Sequence, residues 1–134
     1  MKPVLVDSNV LLDLATEDPD WSDWSSEQLE RLAEQTLLVI NPIVYAEVSV
    51  GYETIEEVEE LLTQDFFRRE DLPWDAAFLA GKCFLAYRRR GGVKTAPLPD
   101  FYIGAHAAVR GFELLTRDAR RFRTYFPKLT ILSP

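Results

Sequence analysis

The stretch Val4-Leu5-Val6-Asp7-Ser8-Asn9-Val10-Leu11-Leu12 sets a short apolar run directly before a helix signal. The run Val4–Val6 predicts a buried β-strand, and the apolar spacing that follows predicts a helix over residues 9–15. Asp7 lies at the junction between the two elements. A strand that leads straight into a helix is the first half of a βαβ unit, so this stretch indicates an α/β fold.

Three further acids lie at comparable junctions. Glu47 comes one helical turn after the apolar run 37–40, Asp100 opens a helical pattern, and Asp118 follows Leu114-Leu115-Thr116-Arg117. If the runs are parallel strands, their carboxyl ends share one edge of a sheet, where open α/β proteins bind ligands. Two like charges about 4 Å apart repel by roughly 4 kcal/mol at an effective dielectric near 20. A divalent cation held by oxygen ligands is the simplest reason for such a cluster.

Strands and helices alternate along the whole chain. Strands are predicted over residues 4–6, 37–40, 66–70, 113–116 and 129–132. Helices are predicted over residues 9–15, 25–35, 42–50, 54–62, 73–90, 100–110 and 119–125. Two capping boxes, Ser25–Gln28 and Thr54–Glu57, and the pair Asn41-Pro42 mark helix starts. The pattern predicts a three-layer α/β/α fold with a mostly parallel central sheet of about five strands.

Composition is typical of one globular domain over residues 1–134, since 47% of the residues are hydrophobic. Cys83 is the single cysteine, so we expect no disulfide and a reducing compartment. The first strand begins too close to Met1 to leave room for a signal peptide. No apolar run approaches the ~18 residues of a membrane span. We therefore expect a cytoplasmic protein without a membrane partner.

Charge is distributed unevenly between the two halves of the chain. Residues 1–67 carry 16 acids and two bases, whereas residues 68–134 carry six acids and 13 bases. The net charges are therefore −14 and +7, and the basic half is able to present a face to nucleic acid. The alternative is that folding interleaves the halves and averages the charge.

The acids also have a simpler interpretation. Asp7, Asp100 and Asp118 each occupy a position where an aspartate caps a helix. Capping does not explain Glu47, which lies a turn inside its helix among apolar neighbours. It also does not explain why all four acids keep to the same predicted edge.

Four motifs together resemble the PIN-domain ribonucleases, and among them the VapC-type toxins of toxin–antitoxin pairs. The motifs are Val6-Asp7-Ser8-Asn9-Val10-Leu11-Leu12, Asn41-Pro42-Ile43-Val44-Tyr45-Ala46-Glu47, Leu98-Pro99-Asp100-Phe101-Tyr102-Ile103-Gly104-Ala105 and Leu114-Leu115-Thr116-Arg117-Asp118. They span almost the whole chain in the family's order and spacing. One motif alone is weak, whereas four in order are specific.

The resemblance implies a homodimeric endoribonuclease that depends on Mg²⁺ or Mn²⁺ and is held inactive by a cognate antitoxin. The catalytic acids it implies are Asp7, Glu47, Asp100 and Asp118, with Asp7, Asp100 and Asp118 as metal ligands. Asp118 is the acid that acts through a water if any does. The polar positions that orient ligands or water are Ser8, Asn9 and Thr116.

Binding of an RNA substrate requires positive charge, because phosphate contacts dominate nucleic-acid affinity. Arg117, Arg120 and Arg121 surround Asp118 and are the predicted RNA contacts. A second basic group, Arg88-Arg89-Arg90 with Lys94, is also explained by favourable charge at a helix C-terminus. His106, the only histidine, lies on another face of its helix from Asp100, and we expect it to be structural or on the surface.

Two other functions share parts of this pattern. A phosphatase of the haloacid-dehalogenase type requires a second Asp where Asn9 stands, and a phosphoaspartate receiver requires an acidic pair after the first strand. The chain has neither. A non-catalytic RNA-binding module with the same fold remains the second alternative, although all four acids are present. Trp21 and Trp24 are candidates for an antitoxin or dimer contact, or for packing within the monomer.

Overall fold

Five short parallel strands form the centre of the computed structural model, which describes residues 1–134. The strands are β1 (Val4–Val6), β2 (Leu38–Ile40), β3 (Phe67–Arg69), β4 (Glu113–Leu115) and β5 (Ile131–Leu132). They lie in the order β3-β2-β1-β4-β5, and every neighbouring pair is parallel. The predicted parallel sheet is confirmed, and the first strand of the chain is its middle strand.

Seven helices connect and cover the strands. They are α1 (Ser8–Ala15), α2 (Ser22–Ala33), α3 (Pro42–Ser49), α4 (Ile55–Leu61), α5 (Trp74–Arg89), α6 (Pro99–Arg110) and α7 (Arg120–Tyr125). The helix α5 packs along α6, and α1 packs against α2 and α3. The result is the predicted three-layer α/β/α arrangement. No helix has the length and apolar character needed to cross a membrane.

The core lies around β1 and its neighbours. All residues of β1 are fully buried, as are Leu114 and Leu115 of β4, because helices cover both faces of the sheet. This double coverage explains why β1 and β2 are apolar throughout, whereas the edge strand β3 exposes Arg68 and Arg69.

Local capping signals decide the start of two helices, α3 and α4, but not that of α2. The Asn41 side chain accepts a hydrogen bond from the Val44 amide at 2.9 Å, and Thr54 accepts one from the Glu57 amide at 3.3 Å, as predicted. The predicted start of α2 at Ser25 is wrong, because α2 begins at Ser22. Ser25 is fully buried inside the helix, where its hydroxyl donates to Asp13 at 2.7 Å. A tertiary contact has replaced the local cap.

Candidate active site

Asp7 begins the site, because it is the residue that follows the middle strand and caps α1. Its Oδ1 accepts a hydrogen bond from the Ser8 amide at 2.8 Å, and its Oδ2 accepts one from the Thr116 hydroxyl at 2.8 Å. Only 4% of Asp7 is exposed. Both donors are neutral, so the carboxylate has no positively charged partner within the protein.

Ser8 joins Asp7 to Glu47. Its hydroxyl donates to Glu47 Oε1 at 2.9 Å and lies 3.5 Å from Asp7 Oδ1, so both carboxylates are within hydrogen-bond reach of one oxygen. Glu47 lies in the second turn of α3, and the Asn41 cap fixes where that helix begins. The β1 and β2 ends are adjacent in the sheet, which brings α1 and α3 together.

Asp100 completes a group of three mutually repelling acids. The pKa of Asp7 is raised to about 7, mainly by burial and also by the charges of Asp100 and Glu47, against the lowering effect of the hydrogen bonds from Thr116 and Ser8. Burial also raises the pKa values of Glu47 and Asp100, and the charge of Asp100 adds to the rise at Glu47. Asp7, Glu47 and Asp100, which are at least 40 positions apart in sequence, therefore share one electrostatic environment.

Asp118 stands apart from that group. Its side chain is 59% exposed and accepts from Arg120, whose hydrogen bond lowers the pKa of Asp118. Of the other three acids, only Asp100 carries a pKa shift to which the Asp118 charge contributes. The structure thus places Asp118 at the rim of the site, next to a cation of its own.

The polar residues predicted to orient ligands form one network. Thr116, fully buried at the end of β4, donates to Asp7 and accepts from the Asn9 amide group at 3.2 Å. Asn9 in turn accepts from the Arg117 amide at 3.1 Å. These bonds fix the turn after β4 against the start of α1, so they hold Asp7 in place from the far side.

Arg117 has a partner that the sequence did not reveal. Its guanidinium forms two hydrogen bonds with Asp13, at 3.0 and 2.9 Å, and lies 5.3 Å from the centroid of the Trp21 ring. Asp13 is buried on α1 and also accepts from Ser25. The Arg117 side chain therefore anchors the β4 turn to the α1–α2 pair. In the sequence, Asp13 is a charged residue among leucines, and this is the only feature that indicated a structural role for it.

The two other predicted RNA contacts point toward the acids. Arg121 lies 3.2 Å from Asp100, and Arg120 is the partner of Asp118. The Arg120 side chain is 91% exposed. Both arginines belong to the first turn of α7, which begins just after the β4 turn. Positive charge thus borders the acid group on the α7 side.

His106 is structural, since it is fully buried beside the site in contact with two other elements. Its Nδ1 lies 3.0 Å from the Asn41 amide nitrogen, and its Nε2 lies 3.3 Å from Glu70 Oε1. Because the Asn41 oxygen already accepts from Val44, its nitrogen donates to Nδ1 and the ring proton lies on Nε2. Burial lowers the pKa of His106, which keeps the ring neutral. The chain from Asn41 to Glu70 ties α6 to the β2 and β3 ends.

The donor set fits a hard cation. No group of three or more His, Cys, Asp or Glu side chains lies close enough together to enclose an ion. Mg²⁺ does not require such a cage, because it usually keeps several waters and binds one or two carboxylates. The charge of Asp7 is not balanced by any cation of the protein, and a bound ion would balance it, whereas Asp100 already has Arg121 at 3.2 Å.

The order of the strands in the sheet distinguishes this fold from that of the phosphoaspartate receivers. Receiver domains of the flavodoxin-like class have the order 2-1-3-4-5. The observed order, β3-β2-β1-β4-β5, differs at the position of the third strand. The receiver-like alternative is therefore excluded by topology as well as by its missing residues.

Comparisons with known proteins agree with this topology. The family model described as "PIN domain" matches residues 4–127. None of the curated protein sequences compared with the chain matches it.

Several solved structures share the fold. VapBC2 of Rickettsia felis bound to a promoter DNA fragment superposes with a TM-score of 0.76 at 20% identity, covering 98% of both chains. VapBC-1 of nontypeable Haemophilus influenzae gives 0.72 at 18% identity, covering 98% of this chain and 97% of that one. A toxin–antitoxin complex of Klebsiella pneumoniae gives 0.68 at 24% identity, covering 96% and 95%.

Proposed function

The chain belongs to the PIN-domain family, and from this premise we propose that it is a VapC-type toxin that hydrolyses RNA with the help of Mg²⁺ or Mn²⁺. The observation that carries the proposal is Asp7, a buried carboxylate whose pKa is raised to about 7 beside two further acids and no cation. A buried cluster of carboxylates lowers the stability of the folded protein when the carboxylates are ionised and no cation is bound. Such a cluster is expected at a metal-binding site.

Asp7 and Asp100 would hold the metal, with Asp118 acting on it through water. When bound, the ion lowers the pKa of a coordinated water and neutralises charge on the phosphoryl oxygens. Glu47 is the residue placed to accept a proton from the attacking water, because Oε1 is held by Ser8 and Oε2 has no hydrogen bond within the protein. Its raised pKa suits a general base better than an ordinary surface carboxylate.

Hydrolysis is balanced by these groups. The water oxygen forms a new bond to phosphorus as Glu47 accepts one of its protons, and the ester P–O bond breaks. The leaving oxygen takes up a proton from solvent water, and Glu47 returns its proton to the solvent. Ser8 and Thr116 keep Glu47 and Asp7 in their orientations through both events. Arg120 and Arg121 are placed to contact phosphates that flank the acids.

The direct test is cleavage of total RNA by the purified protein, with Mg²⁺ and with EDTA. We expect cleavage only with the metal, and a loss of orders of magnitude in Asp100→Asn, which keeps the shape of the side chain. Asp65→Asn is the matched control, because Asp65 is exposed in a loop and its carboxylate has no bond in the protein. Metal-independent cleavage, or full activity in a folded Asp100→Asn variant, contradicts the proposal and favours a non-catalytic RNA-binding module.

A homodimer is the proposed assembly, and α5 supplies a surface for it. Trp74, Phe78, Gly81 and Leu85 recur at the spacing of a helix–helix seam, and Trp74 and Phe78 are 90% and 68% exposed. Exposed aromatic side chains of this size are typical of protein interfaces. Light scattering should show a dimer that Phe78→Glu converts to monomers, whereas Val93→Glu, at an exposed loop position, should leave it intact.

An antitoxin protein is the proposed inhibitor, and the likeness to toxin–antitoxin complexes supports it. The cytoplasm is the proposed location, because a protein that cleaves cellular RNA would act there. The acidic α4 and the tryptophan pair on α2 are exposed or half-buried surfaces open to such a partner.

A further inference from the structure

The basic residues of the second half of the chain fall into two classes. The first class forms ion pairs with carboxylates and comprises Arg68, Arg69, Arg110, Arg117, Arg120 and Arg121. His106 apart, no other side chain of the protein forms an ion pair as the positive partner. The second class has no carboxylate partner and includes Lys82, Arg123 and Lys128. Its other members, Arg88, Arg89, Arg90 and Lys94, are all exposed and lie together at the end of α5, and we call these four the α5 basic cluster.

The α5 basic cluster reaches the acid group through aromatic rings. The Arg90 guanidinium lies 5.3 Å from the centroid of the Tyr125 ring at the end of α7. Tyr125 packs edge-on against Phe101, with 5.0 Å between ring centroids, and Phe101 directly follows Asp100. The other end of α7 carries Arg121, which touches Asp100. Two basic groups that are about 30 residues apart in sequence thus border one surface that leads away from the site.

The loop after α5 is folded to keep Lys94 in this surface. The Arg88 guanidinium donates to the Lys94 carbonyl at 2.7 Å. Gly92 lies flat against Tyr87, where a Cβ would stand 2.2 Å from the ring, so only glycine permits this close approach. Favourable charge at a helix C-terminus explains Arg88 and Arg89 but not a lysine beyond the helix. The cluster therefore exceeds what helix stability requires.

The opposite flank of the site carries the opposite charge. Helix α4 packs on α3, which bears Glu47, and its surroundings expose Glu53, Glu56, Glu57 and Glu60. A polyanion that approaches the acids is repelled on this side and attracted on the α7 side. The two flanks of the site are therefore not equivalent for nucleic acid.

We propose that single-stranded RNA leaves the acid group on one side only, along a path from Asp100 past Tyr125 to the α5 basic cluster. This proposal rests on the proposed function. Phosphate contacts to unpaired Lys and Arg side chains, combined with an aromatic face, are how single strands are bound without base readout. The path adds Arg90 and Lys94 to Arg120 and Arg121 as RNA contacts, and it leaves out Arg117, whose guanidinium is held by Asp13.

The test measures binding, with Asp100→Asn as the background in which RNA is held without being cleaved. Arg90→Gln and Lys94→Gln are compared with Arg31→Gln, which removes one positive charge from the exposed end of α2. Each protein is titrated with a fluorescent single-stranded RNA of about a dozen nucleotides at several salt concentrations. Loss of one phosphate contact should lower the slope of log K against log salt by about 0.7 for each path variant. Arg31→Gln should leave the slope unchanged.

RNA strandedness provides a further arm. If the slope of log K against log salt is unchanged in both Arg90→Gln and Lys94→Gln, the proposed path is wrong. The path is also wrong if Arg31→Gln lowers the slope as much as these two variants do. Duplex RNA of the same length that shows the same slope changes overturns the single-strand assignment. If the wild-type protein cleaves no RNA with Mg²⁺, the proposed function fails, whatever the slopes are.

Discussion

Asp7 and Asp13 lie on the same helix segment, six positions apart, and are almost equally buried, with 4% and 2% exposure. Asp13 accepts two hydrogen bonds from the Arg117 guanidinium and one from Ser25, so its charge is compensated within the protein. Asp7 accepts hydrogen bonds only from the uncharged Ser8 and Thr116 and faces the carboxylates of Glu47 and Asp100.

The difference shows how a fold separates structural from reactive charge. A buried carboxylate with a matched cation is stable and chemically quiet, because its lone pairs are occupied and its charge is balanced. A buried carboxylate among others is destabilising until something positive enters from outside. Burial alone therefore does not distinguish a site residue from a structural one, but the sign of the neighbouring charges does.

The largest expected effect is on activity. Asp7→Asn should reduce RNA cleavage by orders of magnitude while leaving the protein folded, since Asn is as good a helix cap as Asp. Initial rates with Mg²⁺, together with circular dichroism of the same sample, measure both properties. Comparable cleavage by wild type and Asp7→Asn would put Asp7 in the same structural class as Asp13.

The converse prediction concerns Arg117. Arg117→Met leaves Asp13 buried without its cation and should lower the free energy of unfolding by about 3 kcal/mol, as expected when one partner of a buried pair is removed. Arg120→Met is the control, because Arg120 is almost fully exposed and its pair with Asp118 contributes about 0–1 kcal/mol. Urea denaturation resolves the two. Equal midpoints for both variants would contradict the structural role of Arg117.

Mg²⁺ should stabilise the folded protein by binding to the acid group and to no other site. Mg²⁺ at about a hundredfold excess over its Kd is expected to add about 2.7 kcal/mol to the stability of the wild type. Asp7→Asn should respond much less, whereas Asp65→Asn should respond as the wild type does. Calorimetric melts with Mg²⁺ and with EDTA test this, and a protein whose melting ignores Mg²⁺ has no such site.

Metal-free stability should depend on pH through Asp7. The pKa of this group is about 7 in the folded state and 3.8 in the unfolded chain, so between these values the folded state binds more protons. Stability is therefore expected to fall as pH rises from about 4 to about 7, and the raised pKa values of Glu47 and Asp100 act in the same direction. Asp7→Asn should flatten the profile measured in EDTA. If stability depends on pH equally in the wild type and in Asp7→Asn, groups other than Asp7 cause the dependence.

The smallest expected effect is on the salt dependence of RNA binding, and it distinguishes Arg117 from Arg120 and Arg121. Arg120→Ala and Arg121→Ala should each lower the salt slope of single-stranded RNA binding by about 0.7, the value of one phosphate contact. Arg117→Ala, measured at a temperature where it is folded, should leave the slope unchanged because Asp13 already holds its guanidinium. A fall in slope for Arg117→Ala of the same size would mean that the pair opens for RNA.

Sequence reasoning found the strand–helix alternation mainly because the central strands β1 and β2 are continuous apolar runs, as double coverage of a parallel sheet requires. The same rule indicated that Asp7 and Glu47 share an environment, since β1 and β2 are adjacent and their carboxyl ends meet at one edge. Asp100 follows no strand, because α6 comes after α5 and a loop, so its motif was the only indication of its place. Thr116 was indicated by its motif, and its hydrogen bond to Asp7 supports the assignment.

The remaining features depend on contacts between distant residues. Nothing near Arg117 in the sequence indicates that its partner is Asp13, 104 positions away. The predicted start of α2 at Ser25 was wrong for the same reason. Ser25 donates a hydrogen bond to Asp13 instead of capping the helix, which begins at Ser22. The exposure of Asp118 depends on Arg120, whose side-chain direction the sequence does not encode.

The central place of β1 in the sheet bears on how the protein comes into being. The strand is made first, but its neighbour β4 is residues 113–115, and Thr116 reaches Asp7 across 109 positions. A polypeptide still emerging from the ribosome, or one cut short by a premature stop, has half of its central strand unpaired and lacks Asp100 or Thr116. Synthesis thus completes the acid group and its Thr116 contact late, so a nascent or truncated chain lacks the proposed catalytic site.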